Sequence, residues 1–437
     1  MSSTKLRVAI CGGGIGGLTL AVALSKYPDI EVDVYEAAER FREIGAGVMI
    51  WERTWRILTE LGMSSEFSSI AHAPPDGSMG VGFDYRKSDQ PQEGIPFYLF
   101  ALPYGCIRFH RAHFLDVLVE RLPSGVAHFG KRLQLYTRPG SDGPLILSFA
   151  DGSRAQCDLL VGCDGIKSVV RRQMLQEKAT SEGRPELLDY IEPFWSGSIA
   201  YRGLVPVARL TREDGSQHRT IASPMMYCGK SKHVVSYSIS SGSIVNVVAL
   251  TSRPQLEGSP YEGLWVIECD QQELLDCYSD WEPEVVEMLK CIEKPTRWAL
   301  HQLRPLPCYT SSRVVLLGDA AHAMTPHQGA GAGQAIEDAF VLAGVLGHSS
   351  TTLGCLRDAL EAYERVRLPL ANHVLDGSRL SGMMYEFNGA QGGDLHTLGP
   401  AIGKQWDWLK ETTPQGELER ALHILNARMT EVVLAKL

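Results

Sequence analysis

The chain has 437 residues, 44% of them hydrophobic and 21% charged, with a formal net charge of −9. That length exceeds one hydrophobic core and implies about two or three domains. The acidic balance argues against a nucleic-acid or anionic-membrane partner, which wants a basic face, and no run approaches the roughly 18 apolar residues of a membrane span.

Residues 1–7 lead almost directly into a strand and leave no room for a secretory signal, so a cytoplasmic protein is expected. The first element is an apolar strand over 8–11. Gly12, Gly14 and Gly17 follow in a G-x-G-x-x-G spacing, with Ile15 inside it. Residues 18–27 are helix-like, with Leu20, Ala21 and Leu24 on one face. The alternating stretch "EVDVY", 31–35, predicts a second strand, and Glu36 ends it 24 residues after Gly12. Glycines here permit a tight turn and close backbone approach to a pyrophosphate seated on the helix N-terminus. A carboxylate at the end of the second strand accepts from ribose hydroxyls and disfavours a 2′-phosphate. The unit predicts a site for NAD or FAD.

Residues 74–94, rich in Gly, Pro and Asp, predict a long connection containing a hairpin or a mobile loop. In "LLVGCDGIKSVVRR", 159–172, an apolar strand ends at Asp164-Gly165, followed by Ser168 and Arg171. The stretches "SGSIAYRGLVPV", "KHVVSYSIS" and "SIVNVVAL" predict strands of a second sheet within 179–295. Residues 271–292 predict helices interrupted at Pro283. In "RVVLLGDAAHAMTPHQGAGAGQAIEDA", 313–339, a strand ends at Gly318-Asp319, a Pro/Gly-rich loop follows, and a helix starts near Gln334. Residues 355–437 are largely helical. The ten cysteines form no C-x-x-C pair, so they read as reduced thiols rather than a metal site.

Three strand ends far apart in sequence thus each carry glycine and an acid. A dehydrogenase holding only NAD has no use for the third; a flavin does. An acid there bonds ribityl hydroxyls. The loop 329–333 lays backbone amides and a helix N-terminus against the pyrimidine edge of the isoalloxazine, which gains negative charge on reduction.

On these residues the chain resembles the class A flavoprotein aromatic hydroxylases, which have the para-hydroxybenzoate hydroxylase fold. The G-x-G-x-x-G, the Asp164-Gly165 motif and the Gly318-Asp319 motif appear in that family's order, and the likeness spans 7–379. Within the family it runs toward the salicylate hydroxylases, on "FREIGAGVMI", "AYRGLV", "SIVNVVAL", "PTRWALHQL" and "GDAAHAMTPHQGAGAGQAIEDA". The resemblance implies that Gly12, Gly14, Ile15 and Gly17 hold the FAD pyrophosphate, and that Glu36 binds the adenosine ribose. It implies that Gly47 contacts the cofactor through its backbone and that Arg111 reaches the phosphates or ribityl chain. Asp319 would bond the ribityl or pyrophosphate region, and Gly331 and Ala332 the pyrimidine edge. Asp164 is a further cofactor candidate. With Arg171, it has a structural alternative as a bridge between strand and helix, or a role in sensing NAD(P)H. No second strand–glycine–helix unit is present for NAD(P)H, which this family binds transiently.

The expected fold is α/β: a Rossmann-like FAD-binding domain of discontinuous segments 1–72, 100–178 and 296–365, a β-sheet substrate domain of 73–99 and 179–295, and a helical region 366–437. The implied partners are a small aromatic substrate, O2 and NAD(P)H, in a monomer or homodimer. The implied reaction is hydroxylation through a flavin C4a-hydroperoxide, with salicylate going to catechol and CO2. Other hydroxybenzoates or fungal polyketide phenols are alternatives, as is a non-catalytic flavin- or NAD-binding regulatory module. Attack on the ring needs electron density, hence a phenolate, whose parent phenol has a pKa of about 10. Three residues answer that need. Arg202 can pair with a carboxylate or phenolate, Tyr237 can orient the phenolic oxygen, and His322 can take its proton. Each has a structural alternative: a salt bridge between sheets, a core tyrosine, a histidine that holds its own loop. His327, after Pro326, competes with His322, with shaping of the loop as its alternative.

Overall fold

The strand Leu6–Cys11 pairs in parallel with Leu159–Gly162 on one side and Ile30–Tyr35 on the other. Val314–Leu316 adds beyond Leu159–Gly162, and Ala127–His128 beyond Ile30–Tyr35. This is a computed structural model describing residues 4–41, 47–73, 75–140, 143–211 and 215–434. Residues 42–46 of "FREIGAGVMI" and Pro74 of the long connection lie outside the described residues.

Leu159–Gly162 and Val314–Leu316 are apolar and buried throughout, as parallel strands covered on both faces are. Helix Ile15–Leu24 is buried along its whole length and packs on helix Gly331–Gly347. Cys11 stands opposite both Gly162 and Tyr35, and Gly162 opposite Leu316. Four strands from distant segments therefore end level with one another. That carboxyl edge is where open α/β sheets bind ligands.

A second sheet has eight strands among the described residues, in the order 266–268, 296–302, 194–206, 244–252, 232–239, 225–229, 79–87 and 95–103. Its two faces follow from strand alternation. Val245, Val247, Ala249, Val234 and Tyr201 pack on Leu274, Tyr278, Val285 and Leu289, residues of helices Gln271–Cys277 and Pro283–Lys290 and the link between them. The intervening residues face the other way, toward the parallel sheet. Pro283 is the first residue of its helix, where its missing N–H costs nothing.

Three boundaries shift. Met79–Lys87 within the long connection is a strand of the large sheet, paired as a hairpin with Ile95–Pro103, which runs past the boundary expected at 99. Thr296–Gln302 pairs with Phe194–Pro206, so it belongs with the large sheet although it follows residue 295. Leu356–Tyr385 is one helix of 30 residues, so the boundary at 365 falls inside it. Strand membership is decided by ladders between distant segments, which composition does not show. Among the described residues no helix is long and apolar enough to cross a membrane, and none of the His, Cys, Asp and Glu side chains gather in threes to hold a metal.

Candidate active site

The glycines of the first turn do two different jobs. Gly12 has φ +112°, and a Cβ there would stand 2.1 Å from the Cys163 carbonyl oxygen. A Cβ on Gly17 would stand 2.1 Å from the Gly12 carbonyl oxygen. Both are needed for close packing. Gly14 has nothing within 4 Å of its Cβ position and opens onto a cavity of ≈ 470 Å³.

That cavity brings together most of the expected residues. Gly14, Ile15 and Gly17 come from the first turn, and Asp319, Gly331 and Ala332 from the third strand end. Gly47 starts the short strand Gly47–Ile50, and Arg111 starts helix Arg111–Glu120; both line the wall. Arg202 and Tyr237 project from the large sheet on the opposite side. Gly47 donates its N–H to Asn246 at 3.0 Å, and a Cβ on it would stand 2.6 Å from the Tyr237 ring. Glycine at 47 therefore lets the backbone reach Tyr237.

Four expected site residues, Gly12, Glu36, Asp164 and His322, stand outside the cavity wall. Gly12 is packed beneath the turn. Glu36 accepts from the N–H groups of Gly13 and Ala38, both at 2.8 Å; its carboxylate is pinned beside the glycine turn. Asp164 is turned to its own chain. It accepts from Ser168 Oγ and from the amides of Val169 at 2.7 Å and Val170 at 3.2 Å, holding the start of helix Val169–Glu182. The bridging alternative describes it, and Arg171, buried, donates to the carbonyls of Ile191 and Ala320.

His322 is the correction of most consequence. It was expected to take the substrate's proton, yet it is fully buried behind the strand end, with Nε2 at 2.6 Å from Asp338. The reason is tertiary: Asp338, about two turns into helix Gly331–Gly347, captures the imidazole, and Arg367 on helix Leu356–Tyr385 holds Asp338 in turn. Burial alone would raise the Asp338 carboxyl. His322, Arg367 and the Gly318 amide outweigh it and hold it down to about 2.

Two helix N-termini face the cavity, Ile15–Leu24 and Gly331–Gly347, and neither has a side-chain cap. Each leaves about four N–H groups without an intrahelical partner, at the positive end of its dipole. The Cβ position of Gly331 has no neighbour nearer than 3.9 Å. Two uncapped amide clusters, an exposed Asp319 and a bare Gly14 fit an extended cofactor with a pyrophosphate at one end and an acceptor-rich ring edge at the other. FAD has that form, and the residues present fit it.

Across from these termini, alternation places His233, Val235 and Tyr237 on one strand's cavity face, Asn246, Val248 and Leu250 on the next, and Ala200 with Arg202 on a third. The Arg202 guanidinium sits 4.9 Å over the Trp298 ring. Burial, with Cys106, pushes the Tyr237 phenol up against the pull of Arg202 and Arg108, so Tyr237 is a hydrogen-bond donor. His233 and Asn246 were missed as site residues. The signal was present: His233 and Tyr237 are four apart in one strand and share a face.

The architecture and site define a flavin-dependent enzyme with its substrate chamber between a nucleotide sheet and a second sheet. The sequence model of the FAD binding domain family matches residues 5–189 and 284–378, and the chain belongs to that family. It is similar to a salicylate hydroxylase of Pseudomonas putida, 41% identical over 92% of this chain and 91% of that one. It is also similar to a 6-methylsalicylate 1-monooxygenase of Aspergillus terreus, 35% identical over 93% and 89%. A solved salicylate hydroxylase substrate complex superposes with a TM-score of 0.84 at 32% identity, covering 96% of this chain and 98% of that one. The chain is an FAD-dependent aromatic monooxygenase.

Proposed function

We propose that the enzyme hydroxylates a small ortho-hydroxybenzoate, salicylate being the leading candidate, at the carbon bearing the carboxylate. One oxygen atom of O2 enters the ring and the other leaves as water. CO2 departs, and catechol is the product. The reading is carried by one observation: a sheet face bearing Arg202, Tyr237, His233 and Asn246 stands across one cavity from two uncapped helix N-termini. The relatives named for salicylate and 6-methylsalicylate support it.

When bound, FAD supplies the redox chemistry, accepting a hydride from NAD(P)H and activating O2. The chain does the rest. Gly14 and the helix it precedes would receive the pyrophosphate, Glu36 would serve the ribose and Asp319 the ribityl chain. The N-terminal amides at Gly331 and Ala332 would hold the ring's acceptor edge and favour negative charge there. Arg202 pairs with the substrate carboxylate, and its cation–π contact with Trp298 restrains the guanidinium. Tyr237 donates to the phenolic oxygen and so favours its anion. The apolar wall of Met226, Val235, Val248 and Leu250 keeps water from the reacting carbon.

The test is product identification. Purified holoenzyme is given salicylate, ring-substituted salicylates and 4-hydroxybenzoate with NADH or NADPH. Catechol and CO2 from salicylate, with one NAD(P)H and one O2 consumed per product, is the expected result. Preference for a methyl-substituted salicylate would narrow the substrate, whereas no hydroxylated product from any hydroxybenzoate would refute the reading.

A further inference from the structure

Met49, Met226 and Met324 line the cavity that fits FAD. Met49 has no part in the chemistry proposed above. It lies in the short strand Gly47–Ile50 and is 7% exposed. Its thioether packs against the turn at Gly329: a Cβ on Gly329, whose φ is +58°, would overlap the Met49 sulfur. That turn leads directly into Gly331 and Ala332, whose amides fit the ring edge. Met324 lines the same cavity with more room, its Cγ 3.9 Å from the Cβ position of Gly331. Met226 lies across the cavity on the large sheet, in strand Met225–Gly229. Met79, by contrast, is 66% exposed at the start of strand Met79–Lys87.

We propose that Met49 is a site of oxidative modification: hydrogen peroxide released inside the cavity oxidises its thioether to the sulfoxide, and that change loosens FAD. The proposal rests on the FAD-dependent monooxygenase activity, whichever phenol is the substrate. When a turnover makes no hydroxylated product, NAD(P)H, O2 and a proton become NAD(P)+ and hydrogen peroxide. A lone pair of the Met49 sulfur then attacks one peroxide oxygen. The S–O bond forms and the O–O bond breaks. The departing hydroxide takes the proton of the attacked oxygen and leaves as water. Sulfur loses two electrons and the peroxide gains them.

The surroundings favour the thioether over its neighbours. A thioether has no proton to lose before it reacts, whereas a thiol reacts as its thiolate. Cys106 donates its thiol hydrogen to the Met49 sulfur at 3.8 Å, which leaves the second lone pair free. Burial pushes the Cys106 thiol up to about 12. Cys163 also lines the cavity, and burial, then Asp164, raises its thiol well above the usual range. Both therefore stay protonated. A sulfoxide turns a flexible apolar side chain polar. On the Gly329 side the new oxygen has no space, and on the cavity side it enters the cradle that fits the flavin. Either position disturbs the contact between the 329–333 turn and the ring edge. Met324, clear of Gly331, tolerates the same oxygen.

For the test, holoenzyme is given NADH or NADPH under isotopically heavy O2, with catalase and no aromatic compound, until a many-fold excess of reductant is consumed. Catalase destroys peroxide that reaches bulk solution, so exposed Met79 is the internal control. Peptide mass spectrometry should find heavy sulfoxide at Met49 and unmodified Met79. When yellow and colourless protein are separated, Met49 sulfoxide should be concentrated in the colourless fraction, and Met324 sulfoxide shared between the two. Peroxide added from outside, without NAD(P)H or catalase, should reverse the order and mark Met79 first. Met49→Leu nearly keeps the volume and removes the sulfur, so it should retain FAD through turnovers that strip the wild type. Unmodified Met49 in wild type would overturn the proposal, as would Met79 sulfoxide at equal yield despite catalase. Met49 sulfoxide as abundant in yellow protein as in colourless would overturn the loosening of FAD. These wild-type readings stand if the variant fails to fold.

Discussion

His322 donates through Nε2 to Asp338 at 2.6 Å, with neither side chain reaching solvent. Asp338 also accepts from the Gly318 amide at 3.0 Å and from Arg367 Nε at 2.8 Å. The strand end that presents Asp319 is therefore clamped from behind. Removing one partner of such a buried pair costs about 3–5 kcal/mol. His322→Ala should lower the melting temperature and release FAD earlier on heating, while hydroxylated product per NAD(P)H stays at the wild-type ratio. A variant of wild-type stability that diverts NAD(P)H into hydrogen peroxide would return the base role to His322.

Acid should open the same clamp. The folded Asp338 carboxyl is held down to about 2, against about 3.9 in an unfolded chain. Its stabilisation is therefore complete above about pH 4 and is lost as pH falls toward 2, amounting to about 2–3 kcal/mol. Glu417, which burial raises but Arg367 and Arg53 pull lower, acts in the same direction. Denaturant unfolding between pH 2 and 6 should show stability falling with acid, and Asp338→Asn should flatten that fall. An equal slope in both proteins would mean that other carboxylates carry it.

The clamp also shows what the sequence could and could not disclose. The strand ends at Cys11, Gly162 and Leu316 were legible because an apolar run, a glycine and an acid are local features. So was the cavity face of the large sheet, since period two alone aligns His233 with Tyr237. The fate of His322 was not. Asp338 is 16 residues on and Arg367 another 29, on two later helices, and no spacing rule predicts that meeting. Asp164 misled for the opposite reason: an acid at a strand end looks the same whether it caps its own helix or faces a ligand. His327, His233 and Glu386 come together across sequence separations of 94 and 153 residues, visible only once the sheet and the long helix are packed.

Gly12 and Gly14 should separate folding from cofactor binding. Gly12→Ala puts a Cβ 2.1 Å from the Cys163 carbonyl at a φ of +112°, so the apoprotein itself should be destabilised. Gly14 has an ordinary φ of −76° and open space around it. Gly14→Val should fold with near wild-type apoprotein stability but crowd the cradle. A lost charge-assisted hydrogen bond costs about 1.5–3 kcal/mol, so the Kd for FAD should rise about ten- to hundredfold or more. Calorimetry of the apoproteins and FAD titration would check both. Full FAD affinity in Gly14→Val would place the pyrophosphate elsewhere.

Arg202 and Trp298 offer the sharpest test of substrate anchoring. The guanidinium lies 4.9 Å over the indole, on the cavity face of adjacent strands, where Ala200 pairs with Trp298 and Arg202 with Thr296. This cation–π contact restrains the guanidinium, whose fork suits a carboxylate taken by two parallel N–H bonds. Arg202→Ala should raise KM for salicylate about ten- to hundredfold, from the 1.5–3 kcal/mol of a charged hydrogen bond, with FAD content unchanged. Arg202→Lys keeps the charge but loses the fork, so it should recover only part of the loss. Trp298→Leu keeps the arginine but removes the contact that restrains it. It should weaken binding less than Arg202→Ala and lower the fraction of NAD(P)H that ends in product, because a tilted substrate presents the wrong carbon. Steady-state KM, bound FAD and the product-to-peroxide ratio for the three variants would decide it. Wild-type KM in Arg202→Ala would show that the arginine only braces Trp298 and that the carboxylate is held by another group.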